Sequence, residues 1–423
     1  MGTAVNGILD KILTATVLAV VVLAVFFGVR SQLGNVIAEG VVPGNPETKS
    51  LALSAEGISP NDPKTLWLAS VSRHDELDRK SSLILSNELK KVILRSPHDF
   101  RWWIERGKAL EKARRIGEAE AHLAKAVSLA PNYGAPRWHL GNFYLRTARQ
   151  EQSIEHFSVA ARGDAQYREE IFALIDDFFD DSERAFARIV GDDPEMLVTL
   201  SRYHAARGNR SESLATWNRL SADDKRRLSV FGMEIAQGNY DRRAYIAASS
   251  ILRDLGKESN TPGQISNGGF EVNLGNAKDV FFGWRVTSRE RVDVRLDGRN
   301  SRDGRRSLRI SYDGTVQEFV GNALQILVIK PGKRYRINYW VRGEGIRSAG
   351  PPRIDVIDLA SNRVIASGDS MKGSFDWTQQ GFEFDAPEEE EGVLLVINRE
   401  GCGAECPIYG LLWLDGFELR EVQ

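Results

Sequence analysis

Ser-Asn-Gly-Gly-Phe-Glu, residues 266–271, marks the point where the pattern of the chain changes. From there to residue 423 the sequence runs in short strand-like stretches broken by Gly, Asn, Asp and Pro. The strongest are 307–312, 334–342, 353–358, 393–398 and 411–419. Alternation with a period of two, interrupted by regularly spaced turn residues, predicts an antiparallel β-sandwich over 265–423. In 335–342, Tyr-Arg-Ile-Asn-Tyr-Trp-Val-Arg, alternation sends Tyr335, Ile337, Tyr339 and Val341 inward. Arg336, Asn338, Trp340 and Arg342 then face outward. Ser307, Arg309 and Ser311 alternate onto an outer face in the same way, and Gln325 is placed beside them.

Upstream of this region the period is helical, from about residue 75 to 255. Pro97 and Pro131 stand 34 residues apart, and so do Gly107 and Gly141. With the glycines as register, Ala119 aligns with Ser153, Leu123 with Phe157 and Ala126 with Ala160. Small residues let the two helices of a hairpin approach, large ones fill the gap, and Pro opens the next unit. Two further hairpins are expected, 195–207 with 211–220 and 225–237 with 242–255. The segment 167–190 departs from the pattern, and 82–94 is expected as a capping helix. Residues 256–264, Gly-Lys-Glu-Ser-Asn-Thr-Pro-Gly-Gln, read as a linker, and 36–74 as a tether with a short helix near 64–71.

Residues 12–29 form an uncharged apolar run of 18 residues. With its flanks such a run spans a hydrocarbon core of ~30 Å, and 1–35 is assigned to a stub and transmembrane anchor. The competing reading is a cleaved signal peptide, but Arg-Ser-Gln-Leu-Gly at 30–34 supplies no small-x-small cleavage site. Lys11 and Arg30 flank the run evenly, so charge bias leaves its orientation open.

Lys plus Arg number 56 against 58 acidic residues, a formal charge of −2, which argues against a nucleic-acid binder. The two cysteines, Cys402 and Cys406, lie in Cys-Gly-Ala-Glu-Cys-Pro. Zinc would require further ligands that the chain does not supply nearby, so a short-loop disulfide in an oxidising compartment is favoured over free thiols. The six histidines (His74, His98, His122, His139, His156 and His204) all precede the β region, which therefore lacks a histidine triad or histidine metal cluster. Two carboxylates distant in sequence can meet to cleave glycosides, yet nothing singles out a pair. The expectation is a protein that is not an enzyme. The runs 388–391 and 299–306, acidic and basic, read as solvated turns.

Two resemblances bear on function. Asn267-Gly-Gly-Phe-Glu271, Gly283-Trp284, Asp303-Gly304 with Ser307-Leu308-Arg309-Ile310, Pro331-Gly332 with Tyr335, Trp377, and Leu412-Trp413-Leu414-Asp415 follow in order. In order and spacing they resemble the galactose-binding-like jelly-roll carbohydrate-binding modules that accompany bacterial polysaccharide enzymes. Arg137-Trp-His-Leu-Gly-Asn-Phe-Tyr144, then Ser153-Ile-Glu-His-Phe157 and Ala160, with Trp103 one repeat earlier, resemble the tetratricopeptide repeat.

The first resemblance implies a jelly roll with a polysaccharide ligand, Trp284, Trp377 and Trp413 being structural. It also implies a structural Ca²⁺ held by Glu271 and Asp415, with backbone oxygens near 303–306; the alternative is that these two carboxylates only cap strand ends. An outward Trp beside amides and guanidiniums suits a sugar, which offers a ring face and hydroxyls. The binding residues are accordingly Trp340, Asn338, Arg336, Arg309 and Gln325. A Trp340 covered by an arginine or by the helical domain is the competing reading. The second resemblance implies a groove for a partner protein. With the apolar run as anchor, the cysteine pair and the first resemblance imply a single-pass protein of the bacterial inner membrane, its amino terminus cytoplasmic and its bulk periplasmic or extracellular. The combination of domains suggests exopolysaccharide or envelope assembly. The alternatives are a pure protein-interaction scaffold and a polysaccharide-processing enzyme.

Overall fold

The computed structural model describes residues 2–74, 78–259, 261–274, 281–315, 321–402 and 406–422, with side chains from residue 13 onward. The chain divides into two compact units, Met1–Gly191 and Asp192–Gln423.

The first unit is helical. It contains α1 (Gly2–Glu39), α2 (Lys49–Ile58), α3 (Pro63–Arg73), α4 (Arg79–Arg95), α5 (Phe100–Lys112), α6 (Ile116–Leu129), α7 (Gly134–Arg146), α8 (Gln150–Gly163), α9 (Arg168–Phe178) and α10 (Ser182–Val190). α1 is long and apolar enough to cross a membrane, and its apolar window has no buried residue. Aspartates start several of the others: Asp62, Asp78, Asp99 and Asp181 each accept a hydrogen bond from a first-turn amide. Segment 36–74, expected as a tether with a short helix near 64–71, contains that helix as α3 and a second one, α2. α2 and α3 pack on the end of α1 through Ala38, Val41, Ala52, Ala55 and Leu68. Three of these five residues are alanines, which are too small to mark an apolar face in the sequence.

The hairpins α5/α6 and α7/α8 repeat at 34 residues, element for element. A Cβ at Gly107 would meet Leu123 Cγ at 2.7 Å, and one at Gly141 would meet Phe157 Cδ1 at 2.7 Å. The glycines therefore sit where the paired helices come closest. Each hairpin turns through a left-handed residue, Arg114 or Ala148, and closes with the same bond, Arg115 N to Leu110 O and Arg149 N to Tyr144 O.

The second unit joins helices to a β-sandwich. Its helices are α11 (Pro194–Arg207), α12 (Arg210–Asn218), α13 (Ala222–Arg227), α14 (Ser229–Asp241) and α15 (Tyr245–Asp254). The α14/α15 turn, with left-handed Arg243 and Ala244 N bonded to Asn239 O, has the form of the turns in the first unit. The strands are β1 (Arg285–Val286), β2 (Val292–Asp297), β3 (Ser307–Thr315), β4 (Ala323–Val328), β5 (Arg334–Arg347), β6 (Pro352–Asp358), β7 (Arg363–Ser367), β8 (Gly373–Asp385), β9 (Gly392–Arg399) and β10 (Pro407–Val422). They form two antiparallel five-stranded sheets, β1-β4-β9-β6-β7 and β2-β3-β10-β5-β8. Between them lies one apolar core that includes Phe270, Trp284, Tyr335, Ile337, Tyr339, Val356, Leu395 and Leu412.

The 256–264 segment thus connects two parts of one compact unit. α15 lies against the outer side of the first sheet: a Cβ at Gly392 would stand 2.5 Å from Tyr245 Cδ2. Glu391 is buried there. It accepts from the Ile246 amide at the start of α15 (2.9 Å) and from Arg210 (3.0 Å). Glu390 pairs with Arg243. Half of the acidic run expected as a solvated turn therefore ties helices to sheet, because arginines from α12 and the α14/α15 turn neutralise it on burial.

Candidate functional site

The outer face of the β2-β3-β10-β5-β8 sheet is built by the pleat of β5. Tyr335, Ile337, Tyr339 and Val341 are fully buried in the core, so Arg336, Asn338, Trp340 and Arg342 stand on the opposite face. Trp340 lies between Gln379 of β8 and Asp415 of β10, and Asn338 lies opposite Gly381. At Gly381 a Cβ would meet Asn338 Oδ1 at 2.5 Å, so the floor beside the amide is low. Arg336 donates to Asn338 Oδ1 (3.1 Å) and pairs with Glu383 (3.2 Å).

These three residues of β5 form one patch. Arg309 does not join it directly. It sits on the same face but across β10, in register with Trp413, and its guanidinium faces Asp293 at 3.6 Å. Trp413 is buried under Arg342, whose guanidinium lies 5.2 Å from the ring centre, and donates its indole N–H to Asp297 at 2.8 Å. Burial disfavours the Asp297 carboxylate, but that indole, the Arg299 amide and Asn300 hold its pKa below the ordinary range. Gln325 lies elsewhere. It belongs to β4 of the other sheet, alternates with Ala323 and Leu327 into the interior, is 1% exposed and donates to Ser266 O at 2.9 Å. Its placement on the ligand face is corrected: Gln325 points into the interior, where its side-chain N–H groups find the Ser266 carbonyl.

Arg302 is the residue that the sequence did not indicate. The loop 298–306 folds over the sheet, and the Arg302 guanidinium lies 4.3 Å from the Trp340 ring centre, in cation–π range. Two carboxylates pull the loop into place. Asp415 Oδ2 accepts from the Arg302 (2.9 Å) and Asp303 (3.2 Å) amides, and its Oδ1 from Gly416 N (2.8 Å). Glu271 Oε1 accepts from the Arg305 (2.7 Å) and Arg306 (2.9 Å) amides. The basic run, expected as a solvated turn, is thus an anchored cover over the sheet; its one sequence signal was the Asp303-Gly304 pair within it.

Burial raises the pKa of Asp415 despite its three amide partners, whereas the two amides on Glu271 lower that of Glu271. The same geometry bears on calcium. The groups aimed at these carboxylates are N–H donors, Glu271 Oε2 faces the Arg305 guanidinium at 3.8 Å, and the Glu271 carbonyl is taken by Arg306. Among the described residues no three His, Cys, Asp or Glu side chains gather there. In this arrangement the two carboxylates cap the 298–306 loop.

Cys402 and Cys406 are paired, their Cα atoms 5.7 Å apart, and Arg399 reaches both sulfurs. In the helical unit burial pushes the pKa of half-buried His139 down to about 4, and His156 stacks on Tyr144 and meets the Arg137 guanidinium at 3.2 Å.

No protein-family model matches the chain, and no curated protein matches it. Solved structures do. One reported as "CBM4 structure and function" is 14% identical over 37% of this chain and 99% of its own, with a TM-score of 0.28. The CBM22-1 xylan-binding domain of Paenibacillus barcinonensis Xyn10C is 17% identical, over 39% of this chain and 99% of its own, at 0.26. A structure reported as MamA MSR-1 is 22% identical over 28% of this chain and 67% of its own, at 0.24. At these identities and scores the likenesses say nothing of ligand or partner.

Proposed function

We propose that this chain is a membrane-anchored, non-enzymatic extracytoplasmic scaffold. Its β-sandwich binds polysaccharide on the outer face of the β2-β3-β10-β5-β8 sheet, and its helical hairpins, which we read as tetratricopeptide-like, hold a partner protein. Bacterial exopolysaccharide or envelope assembly is the setting this combination suggests. The observation that carries the proposal is Trp340, a half-buried indole on a polar sheet face beside Asn338, Arg336 and Gln379. Such a surface offers a sugar an apolar plate and hydrogen-bonding groups around it. The anchor reading draws on α1. The extracytoplasmic side is supported by the Cys402–Cys406 pair, since disulfides persist in oxidising compartments.

A second reading is favoured by Arg302, which already occupies one side of the Trp340 ring. In that reading the sandwich is structural and the chain is a protein-interaction scaffold. Affinity electrophoresis of the full chain through gels containing bacterial exopolysaccharides separates the two. Retention that Trp340→Ala weakens, while Arg302→Ala keeps or strengthens it, supports a sugar platform. Migration unaffected by any polysaccharide, with Trp340→Ala lowering Tm, supports the structural reading.

A further inference from the structure

α1 does not end where its apolar run ends. Residues 13–29 are exposed all round, but the same helix continues without a break to Glu39, and its last turns are packed. A Cβ at Gly34 would stand 2.5 Å from Ser59 Cβ, so α1 and the end of α2 touch backbone to backbone. Arg30, the first charge after the apolar run, donates to the carbonyls of Gly57 (3.0 Å) and Ile58, the unpaired C-terminal acceptors of α2. At the other end of the pair, Leu51 of α2 comes within 4.0 Å of where a Gly40 Cβ would stand. α2 therefore runs antiparallel to α1, and the α2–α3 turn lies level with residues 30–34.

That level has a physical meaning if α1 spans a membrane, the reading on which this inference rests. A helix rises ~1.5 Å per residue, which puts residues 30–34 within about 8 Å of Val29. The polar layer outside a ~30 Å hydrocarbon core is itself roughly 5–8 Å deep on each side. The turn at that height suits such a layer. Pro60 and Asn61 are exposed and uncharged, Ile58 is half-buried, and Asp62 spends its carboxylate on the Lys64 and Thr65 amides. Arg30, with its charge spread over helix-end carbonyls, suits the boundary below it. We propose that the helical unit is seated directly on the bilayer, with the α2–α3 turn in the phospholipid headgroup layer. The partner of this surface is lipid, and no flexible stalk separates the hairpins from the membrane.

Depth-dependent quenching tests this on the full chain, in a Cys402→Ser, Cys406→Ser background reconstituted into vesicles of phosphatidylethanolamine and phosphatidylglycerol. A nitrobenzoxadiazole dye is placed on Leu23→Cys, Asn61→Cys or Glu47→Cys, and the vesicles carry spin-labelled lipids. The dye at 23 should be quenched by nitroxide on the acyl chain, and the dye at 61 by nitroxide on the headgroup, several-fold more strongly than the dye at 47. If the dye at 23 escapes the acyl-chain nitroxide, the membrane span itself is wrong. If it is quenched while the dyes at 61 and 47 respond alike, the span stands and the seating is overturned. Pro60→Cys repeats the measurement one residue earlier, against a local disturbance at 61.

Discussion

The two sheets of the sandwich share a core and differ on their outer faces. β5 reads Arg-Tyr-Arg-Ile-Asn-Tyr-Trp-Val-Arg from 334, strictly alternating, and its outer side chains are polar with one indole. β9 reads Gly-Val-Leu-Leu-Val-Ile-Asn-Arg from 392, nearly continuous in apolar residues, and β4 likewise runs Ile-Leu-Val at 326–328. Strands buried on both faces lose their alternation. In the structure, α15 covers that side: Tyr245 meets Gly392, and Ser249 shares a small cavity with Ile326 and Val328. A sheet whose outer face is apolar has its partner within the chain, whereas the alternating sheet presents a polar outer face.

The largest effect expected from breaking this contrast is at Tyr245, which is 4% exposed and packs edge-on against Phe282 and Tyr240. Tyr245→Ala should destabilise the second unit by about 3–4 kcal/mol, read by urea denaturation, because it opens a cavity between helix and sheet. A loss below about 1 kcal/mol would mean that the helical cover contributes little and the contrast is only one of composition. Next comes Glu391→Ala, which strands the Ile246 amide and Arg210. Its expected cost is about 1–3 kcal/mol, with Glu391→Gln recovering part of it through the amide bond.

On the open sheet the corresponding change should be mild. Trp340→Ala is expected to alter stability by less than about 1 kcal/mol while weakening polysaccharide retention about tenfold, an affinity change worth about 1.4 kcal/mol. Folding loss comparable to that of Tyr245→Ala would show that both faces are structural.

Smaller effects concern the loop that covers the open face, whose two anchors respond oppositely to acid. Glu271, held below its ordinary 4.5 by amides, stabilises the fold above its unfolded pKa and loses this as pH falls through its folded value. Asp415, raised above 3.8 by burial, favours the fold in acid, and its contribution declines as pH rises through its folded value. Carboxyl-carbon titration by NMR should find the two displaced in these opposite directions, and Glu271→Gln should flatten the acid loss of stability. The smallest expected change is from chelator. Because amides and guanidiniums surround the two carboxylates, EDTA should leave Tm unmoved. A drop reversed by Ca²⁺ and absent in Asp415→Ala would restore the cation site.

What reasoning along the chain could reach follows from how far each signal travels. The alternation of β5 and the length of the apolar run are short-range facts that the pleat and the helical turn impose on neighbouring residues. The 34-residue spacing of Gly107 and Gly141 shows as self-similarity along the chain, so all three can be read in one dimension. The face on which Trp340 stands follows from its two neighbours in the strand.

Gln325 was misplaced because its environment is set by Ser266, 59 residues away. Of the helices in 36–74, α3 is legible near 64–71, whereas α2 is not, because it packs on α1 through Ala52 and Ala55 and presents little periodicity of its own. By itself the sequence determined the repeat, the sandwich, the apolar helix and the polar outer edge of β5. Only the tertiary structure decided that Arg302 lies on Trp340, that Glu391 is buried under α15, and that Glu271 and Asp415 face amide hydrogens. Each of these depends on groups more than thirty residues apart meeting in space. No local pattern encodes such a meeting, because burial and partner choice are settled by the packing of whole faces.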